Sequence, residues 1–181
     1  MGSDIISLLK DNKPALIFLV RFVALYFILN TLYGVFITLY APAADPITIE
    51  VTNQTVWFLN LIHEQVTSVV VPDSQSVYVL WKDKNVISVF EGCNSVNVLV
   101  VFLSFVFSFS NQWKQAFLFI AWGSLVLYFI NLIRVIALFE VAVFFPDSMY
   151  FFHKFLFTGM IYMVVFLLWF LWIKKQKKVE S

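Results

Sequence analysis

Four apolar runs, separated by short polar turns and one long polar insert, organise this chain. Ala15 to Tyr40 is apolar apart from Arg21 and a few small polar residues. As a helix it would measure ~39 Å at about 1.5 Å per residue, longer than the ~30 Å hydrocarbon core, so it spans with tilt or with its ends emerging. Ala41-Pro42-Ala43 faintly resembles a cleavage site. A signal peptide, however, has an apolar stretch of only about 7–15 residues, and an uncleaved anchor is expected. Asn94 to Ser110 is rich in Val, Leu and Phe and is strand-prone taken alone. A lone strand leaves its backbone unsatisfied in lipid, so a helix of ~25 Å is the physical choice. After the polar turn 111–115, Ala116 to Phe145 is apolar but interrupted by Asn131, Arg134 and Glu140. Pro146-Asp147-Ser148 turns the chain again, and Phe155 to Ile173 is the last apolar run. The pattern predicts an all-α polytopic membrane protein, a single domain over 1–181. About four transmembrane helices are expected near 15–40, 94–110, 116–138 and 155–173.

The polar insert, 41–93, has its own periodicities. From Thr55 to Val71 the residues Leu59, Ile62, Val66, Val69 and Val70 recur at helical spacing, opposite Asn60, His63, Glu64 and Thr67. This predicts an amphipathic helix on the membrane or against the other helices, anchored by Trp57, with His63 solvated on its polar face. A further span here would bury His63 and Glu64 in lipid at high cost. Pro72-Asp73-Ser74 ends the helix. Val77 to Trp81 and Val86 to Phe90 then form a β-hairpin-like pair around Lys82-Asp83-Lys84-Asn85, delivering the chain to Glu91-Gly92-Cys93.

Composition agrees with a membrane class. Hydrophobic residues make up 61% of the chain and charged residues 13%, whereas soluble domains carry about 25% charge. The net charge of +1 says little, but its placement orients the spans. Lys10 and Lys13, Lys114, and Lys174, Lys175, Lys177 and Lys178 fall on one side. The other side holds 41–93, where Lys82 and Lys84 face six acids, and the turn with Asp147. The positive-inside rule puts both termini and the 111–115 turn in the cytoplasm, and 41–93 and 146–153 outside. A single cysteine excludes a disulfide framework, a Cys-ligated zinc site and a paired-cysteine thiol oxidoreductase. No metal or organic cofactor and no nucleic-acid partner is implied.

The candidate chemistry lies at the outer boundary. Cys93 begins the second span. Arg134, ~20 residues past the inner turn, lies ~30 Å up the third helix, and His153 sits just before the last span. A thiol must become thiolate to attack, and a helix N-terminus, an Arg and a His⁺ all favour that form. These residue types therefore point to Cys93 as nucleophile with an exposed, low-pKa thiol, His153 as acid and base, and Arg134 as oxyanion or thiolate stabiliser. Asn131, three residues before Arg134, shares its helix face and is expected to orient the guanidinium. Glu91 is a supporting neighbour of the thiol, while Glu140 falls on another face. Each residue also has a bland reading: an inert buried thiol, a snorkelling arginine, an interfacial histidine.

Glu91-Gly92-Cys93, then Asn131-Leu132-Ile133-Arg134, then His153 ahead of a final span resembles the exosortase/archaeosortase family, most closely the short exosortase F type. The resemblance covers roughly 77–173, with only the layout shared before that. It implies a multi-pass cysteine protease and transpeptidase of the bacterial cytoplasmic (inner) membrane, its active site facing the periplasm. Its partners would be exported proteins with a C-terminal sorting signal: a short motif, a transmembrane helix and a basic tail. The catalytic set it implies is Cys93, Arg134 and His153. The chain departs from the family where Asn94-Ser95 follows the cysteine, since many members have Ser or Thr and then Gly. The third catalytic position varies in the family between His and Arg. The chain is also short for the family, which leaves open a small membrane partner protein. Two other readings stand beside this one. An aspartic signal peptidase would need two carboxylates at one depth, but Asp45, Asp73, Asp83, Glu91 and Asp147 fall in loops or the hairpin. A non-enzymatic scaffold or accessory subunit would leave Cys93 inert. A rhomboid-like serine protease lacks its Gly-x-Ser-Gly element here.

Overall fold

The structure, a computed structural model, describes residues 12–110 and 112–180, the side chains of 177–180 excepted. Lys10 and Asn111, used above to place the cytoplasmic side, lie outside the described residues, as do the side chains of Lys177 and Lys178. Helix α1 (Lys13–Tyr40) has Pro14 in its first turn, where the missing N–H costs nothing. It lies along α3 (Val96–Ser108) and runs antiparallel to it. At one end Phe18 meets Phe105 and Phe109 edge-on, with ring centroids 5.4 and 5.7 Å apart. At the other end Tyr33 meets Asn94.

Helix α2 (Pro46–Leu59) starts where the sequence offers an acid before a proline. The Asp45 carboxylate accepts from the N–H groups of Ile47 (2.9 Å) and Thr48 (3.0 Å), satisfying two donors that have no partner within the helix. Its buried stripe, Thr48, Val51, Thr52, Thr55 and Leu59, follows helical spacing. Thr52 and Thr55 can be buried because their hydroxyls donate to the carbonyls one turn back.

The expected helix over 55–71 is corrected: α2 stops at Leu59, and Val66–Val70 is strand β1. The Asn60 carboxamide decides the matter. It donates to the Val66 carbonyl (2.8 Å) and accepts from the Val66 N–H (3.0 Å), holding that residue as a neighbouring strand would. The β-branched run Val66-Thr67-Ser68-Val69-Val70 favours the extended form once the turn is made. Strands β2 (Ser76–Trp81) and β3 (Lys84–Phe90) complete an antiparallel meander of order β1-β2-β3, with a bulge near Val79 and Leu80. The expected hairpin is present. Lys82 and Asp83 both have positive φ, 49° and 63°, as a two-residue turn matched to strand twist demands. Val77 and Val79 on β2, with Ile87 and Val89 on β3, alternate onto the buried face of the sheet.

That face packs on α4 (Trp113–Phe144) through Val135 and Phe139, with Leu59 beneath α2, forming one core. A second core at the Trp113 end joins α3, α4 and α5 (Phe157–Glu180) through Phe102, Val106, Ile120, Leu127, Val165 and Trp172. Gly123 is required there, because a Cβ on it would run into the fully buried Phe102 ring. Between α4 and α5 the chain stays helical in short irregular pieces, a 3₁₀ turn (Pro146–Ser148), one α turn (Met149–Phe151) and a π turn (Phe152–Leu156).

The fold is therefore mostly helical with one small sheet. Among the described residues three helical runs are long and apolar enough to cross a membrane: Lys13–Tyr40, Trp113–Phe144 and Pro146–Gln176. The second expected span, 94–110, is a 13-residue helix, shorter than the others.

Candidate active site

Strand β3 leads straight into the cysteine. After Phe90 the chain makes a 3₁₀ turn, Glu91–Cys93, passes Asn94 and Ser95, and enters α3. Gly92 leaves room for the Phe90 ring, which would meet a Cβ at that position. Asn94 pins the turn to the rest of the molecule. Its amide donates to Tyr33 Oη on α1 (2.8 Å) and to Thr48 Oγ1 on α2 (3.0 Å), and its Oδ1 accepts from the Val96 N–H (3.0 Å). Ser95 is buried at φ 67°, the left-handed region that favours glycine, and its hydroxyl has no hydrogen-bond partner.

Helix α4 supplies the next residues. The Asn131 amide donates to the Cys93 carbonyl at 2.8 Å, fixing the cysteine backbone against α4. The sequence places Asn131 and Arg134 on one face, and both are buried there. The expectation that Asn131 orients the guanidinium is corrected: its amide is spent on Cys93, and its Oδ1 has no partner. Arg134 is 7% exposed, its Nε has no partner, and its charge acts on both Cys93 and His153. A buried guanidinium without an acceptor is costly unless something arrives to accept from it.

His153, half-buried in the π turn, lines one cavity with Cys93, closed by Val86, Ile87, Ser88 and Val89 of β3 and by Val135, Leu138, Ala142 and Met149. The cavity measures about 260 Å³ and is mainly apolar. Among the described residues no hydrogen bond joins Cys93 to His153, which face each other across the space. Unligated sites often hold such pairs loosely before substrate arrives.

The expected exposed, low-pKa thiol is corrected. Cys93 is 4% exposed, and burial pushes its thiol above the ordinary value. Arg134 and the backbone of Phe90 both pull the other way without offsetting that rise, and Glu91 adds to it. Helix α3 begins at Val96 rather than Asn94, so its N-terminal dipole is one step removed from the sulfur. At rest the group is a neutral thiol.

Other residues take roles that the sequence pattern does not announce. His63, expected in solvent, packs against Trp81 and Phe139, and its Nε2 lies 2.7 Å from Glu140 Oε1. Glu140 thus points away from Arg134, as its spacing implies, and ties α4 to the turn before β1. The local signal for the start of α2 is Asp45-Pro46, an acid before a proline, which the expected helix over 55–71 does not use. The buried partners of Asn94, by contrast, come from segments 46 and 61 residues distant. No protein-family model, no curated protein and no solved structure matches the chain.

Proposed function

We propose that this protein is a membrane-embedded cysteine protease or transpeptidase of the exosortase type. The observation that carries the reading is the cavity shared by Cys93 and His153, with the unpaired Arg134 charge acting on both. In this reading the substrate is an exported protein whose C-terminal helix enters from the bilayer. Its scissile carbonyl sits beside the thiol. His153 takes the thiol proton as the sulfur attacks the carbonyl carbon, and Arg134 donates to the oxyanion that forms. The C–N bond then breaks, His153 returns the proton to the leaving amine, and a thioester remains. Water or an acceptor amine resolves it. Because the resting thiol is neutral, proton transfer to His153 accompanies attack rather than preceding it.

The reading includes four spans in a bacterial inner membrane, with the sheet and Cys93 on the periplasmic side. The antiparallel course of α3 along α1, from the level of Phe18 to that of Tyr33, supports counting Val96–Ser108 as the second of them. The lysines of 13, 114, 174 and 175 support the orientation. The rival aspartic mechanism loses Asp45, whose carboxylate is committed to capping α2.

The test is a comparison of membrane proteomes from cells with the wild-type protein and with Cys93→Ala. A set of proteins should retain a C-terminal helix and basic tail only in the variant. Identical C-termini in both would refute the reading.

A further inference from the structure

The two edges of the sheet are treated differently. On β1 the outward backbone groups of Val66 are taken by Asn60, and Ser68 donates its hydroxyl to Asn53 of α2. That edge is capped at its Val66 end. Trp81 and Lys84 flank the two-residue turn and exchange backbone bonds, so at alternate positions along β2 Val79 and Val77 bond to Ile87 and Val89, while Ser88 opposite Tyr78 and Phe90 opposite Ser76 are the non-bonded pairs. The intervening Ser88 therefore directs its N–H and C=O away from β2. Phe90, opposite Ser76, does so as well, three residues before Cys93. The strand that carries this edge and the thiol border one cavity, lined by Val86 to Val89, Cys93 and His153.

Exposed strand edges are normally capped or charged, because they pair with any extended chain. Among the described residues, the β3 edge carries no such cap where it runs to the cysteine. We infer that β3 is the docking strand for the substrate: an extended peptide segment adds to it as a fourth strand, hydrogen-bonded to Ser88, with its scissile carbonyl at the Phe90 end beside Cys93. This rests on the proposed nucleophile. Main-chain pairing supplies affinity, and alternate side chains supply selectivity. The apolar wall of Val135, Leu138, Ala142 and Met149 takes one aliphatic side chain of the segment.

The test uses the full chain in detergent and measures alkylation of Cys93 by mass spectrometry. The probes are methyl vinyl sulfone and an acetylated tetrapeptide of aliphatic residues carrying the same vinyl sulfone in place of the scissile carbonyl. In both, the sulfur adds to the alkene carbon β to the sulfone and the thiol proton ends on the α carbon. The peptide should label at least tenfold faster. N-methylation at alternate amides should remove that gain in one register and spare it in the other. Ser88→Pro, which deletes an N–H that the ladder with β2 does not use, should abolish the gain of the peptide over methyl vinyl sulfone, while Ser88→Ala, which keeps that N–H, should retain it. A peptide no faster than the small reagent, or equal sensitivity at every amide, overturns strand addition and leaves Cys93 as a reactive thiol. A thiol silent to both reagents overturns the nucleophile itself. The N-methyl series runs on the wild-type chain and decides the question whether or not the proline variant folds.

Discussion

Ser95→Gly should make the protein more stable, although it removes a buried side chain beside the site. Ser95 sits at φ 67°, and its hydroxyl is buried with no partner. The left-handed conformation costs a residue with a Cβ roughly 1–2 kcal/mol. A buried hydroxyl without a hydrogen bond costs about 1–3 kcal/mol. Glycine removes both, and loses roughly 0.5–1 kcal/mol through the extra freedom of its unfolded chain. The low ends of both gains against the high end of the loss leave a net gain of about 1 kcal/mol, and for a chain of this size each kcal/mol moves the midpoint by roughly 2–4 °C. The assay is thermal unfolding of the detergent-solubilised protein, with Ser95→Ala in parallel. Alanine relieves the hydroxyl but keeps the backbone strain, so its midpoint should fall between wild type and glycine. A glycine variant no more stable than wild type would refute the reasoning. Equal midpoints for alanine and glycine would show that the strain contributes nothing.

Cys93 alkylation by a small reagent should rise with pH and level off only above the ordinary thiol pKa of about 8.5, because burial holds the proton. Arg134→Met should move that inflection higher and Glu91→Gln lower; a profile already flat at neutral pH would contradict the buried-thiol assignment. The same raised pKa means that Cys93 contributes stability below the ordinary thiol pKa and loses it as pH rises through the folded value. Gly123→Ala should destabilise by about 1–3 kcal/mol in denaturant unfolding, since the Phe102 ring it would strike is fully buried and has no room to retract. A neutral result would mean that α3 and α4 separate there at no cost.

Much of the fold can be read from the chain because its local signals agree. The apolar runs became the long helices α1, α4 and α5, and the punctuation at Lys82-Asp83 became a two-residue hairpin turn. The Asn131 and Arg134 spacing put both on one buried face, as helix geometry requires. The misreading at 55–71 has a definite cause. Val66, Val69 and Val70 fit a helical stripe and a β-branched strand equally, and the choice is made by the Asn60 side chain six residues away. Nothing local marks His63 as the partner of Glu140, 77 residues on, or Asn94 as the partner of Tyr33, 61 residues back. Ser95 holds a glycine-like conformation, and Asn94 is the hub of the turn.

The Tyr33 to Asn94 hydrogen bond gives bilayer thickness a way into the geometry around the cysteine. Helix α1 is ~42 Å long at about 1.5 Å per residue, against a hydrocarbon core of ~30 Å. Most of its surface faces outward, and it packs chiefly along α3, so it meets a thinner or thicker bilayer by changing its tilt. Tyr33 is the one residue of that helix buried in the protein, and it is bonded to the residue next to Cys93. Lipid chain length is therefore an experimental variable for this site in its own right, and reconstitution in bilayers of graded thickness would reveal how stiffly the turn resists it.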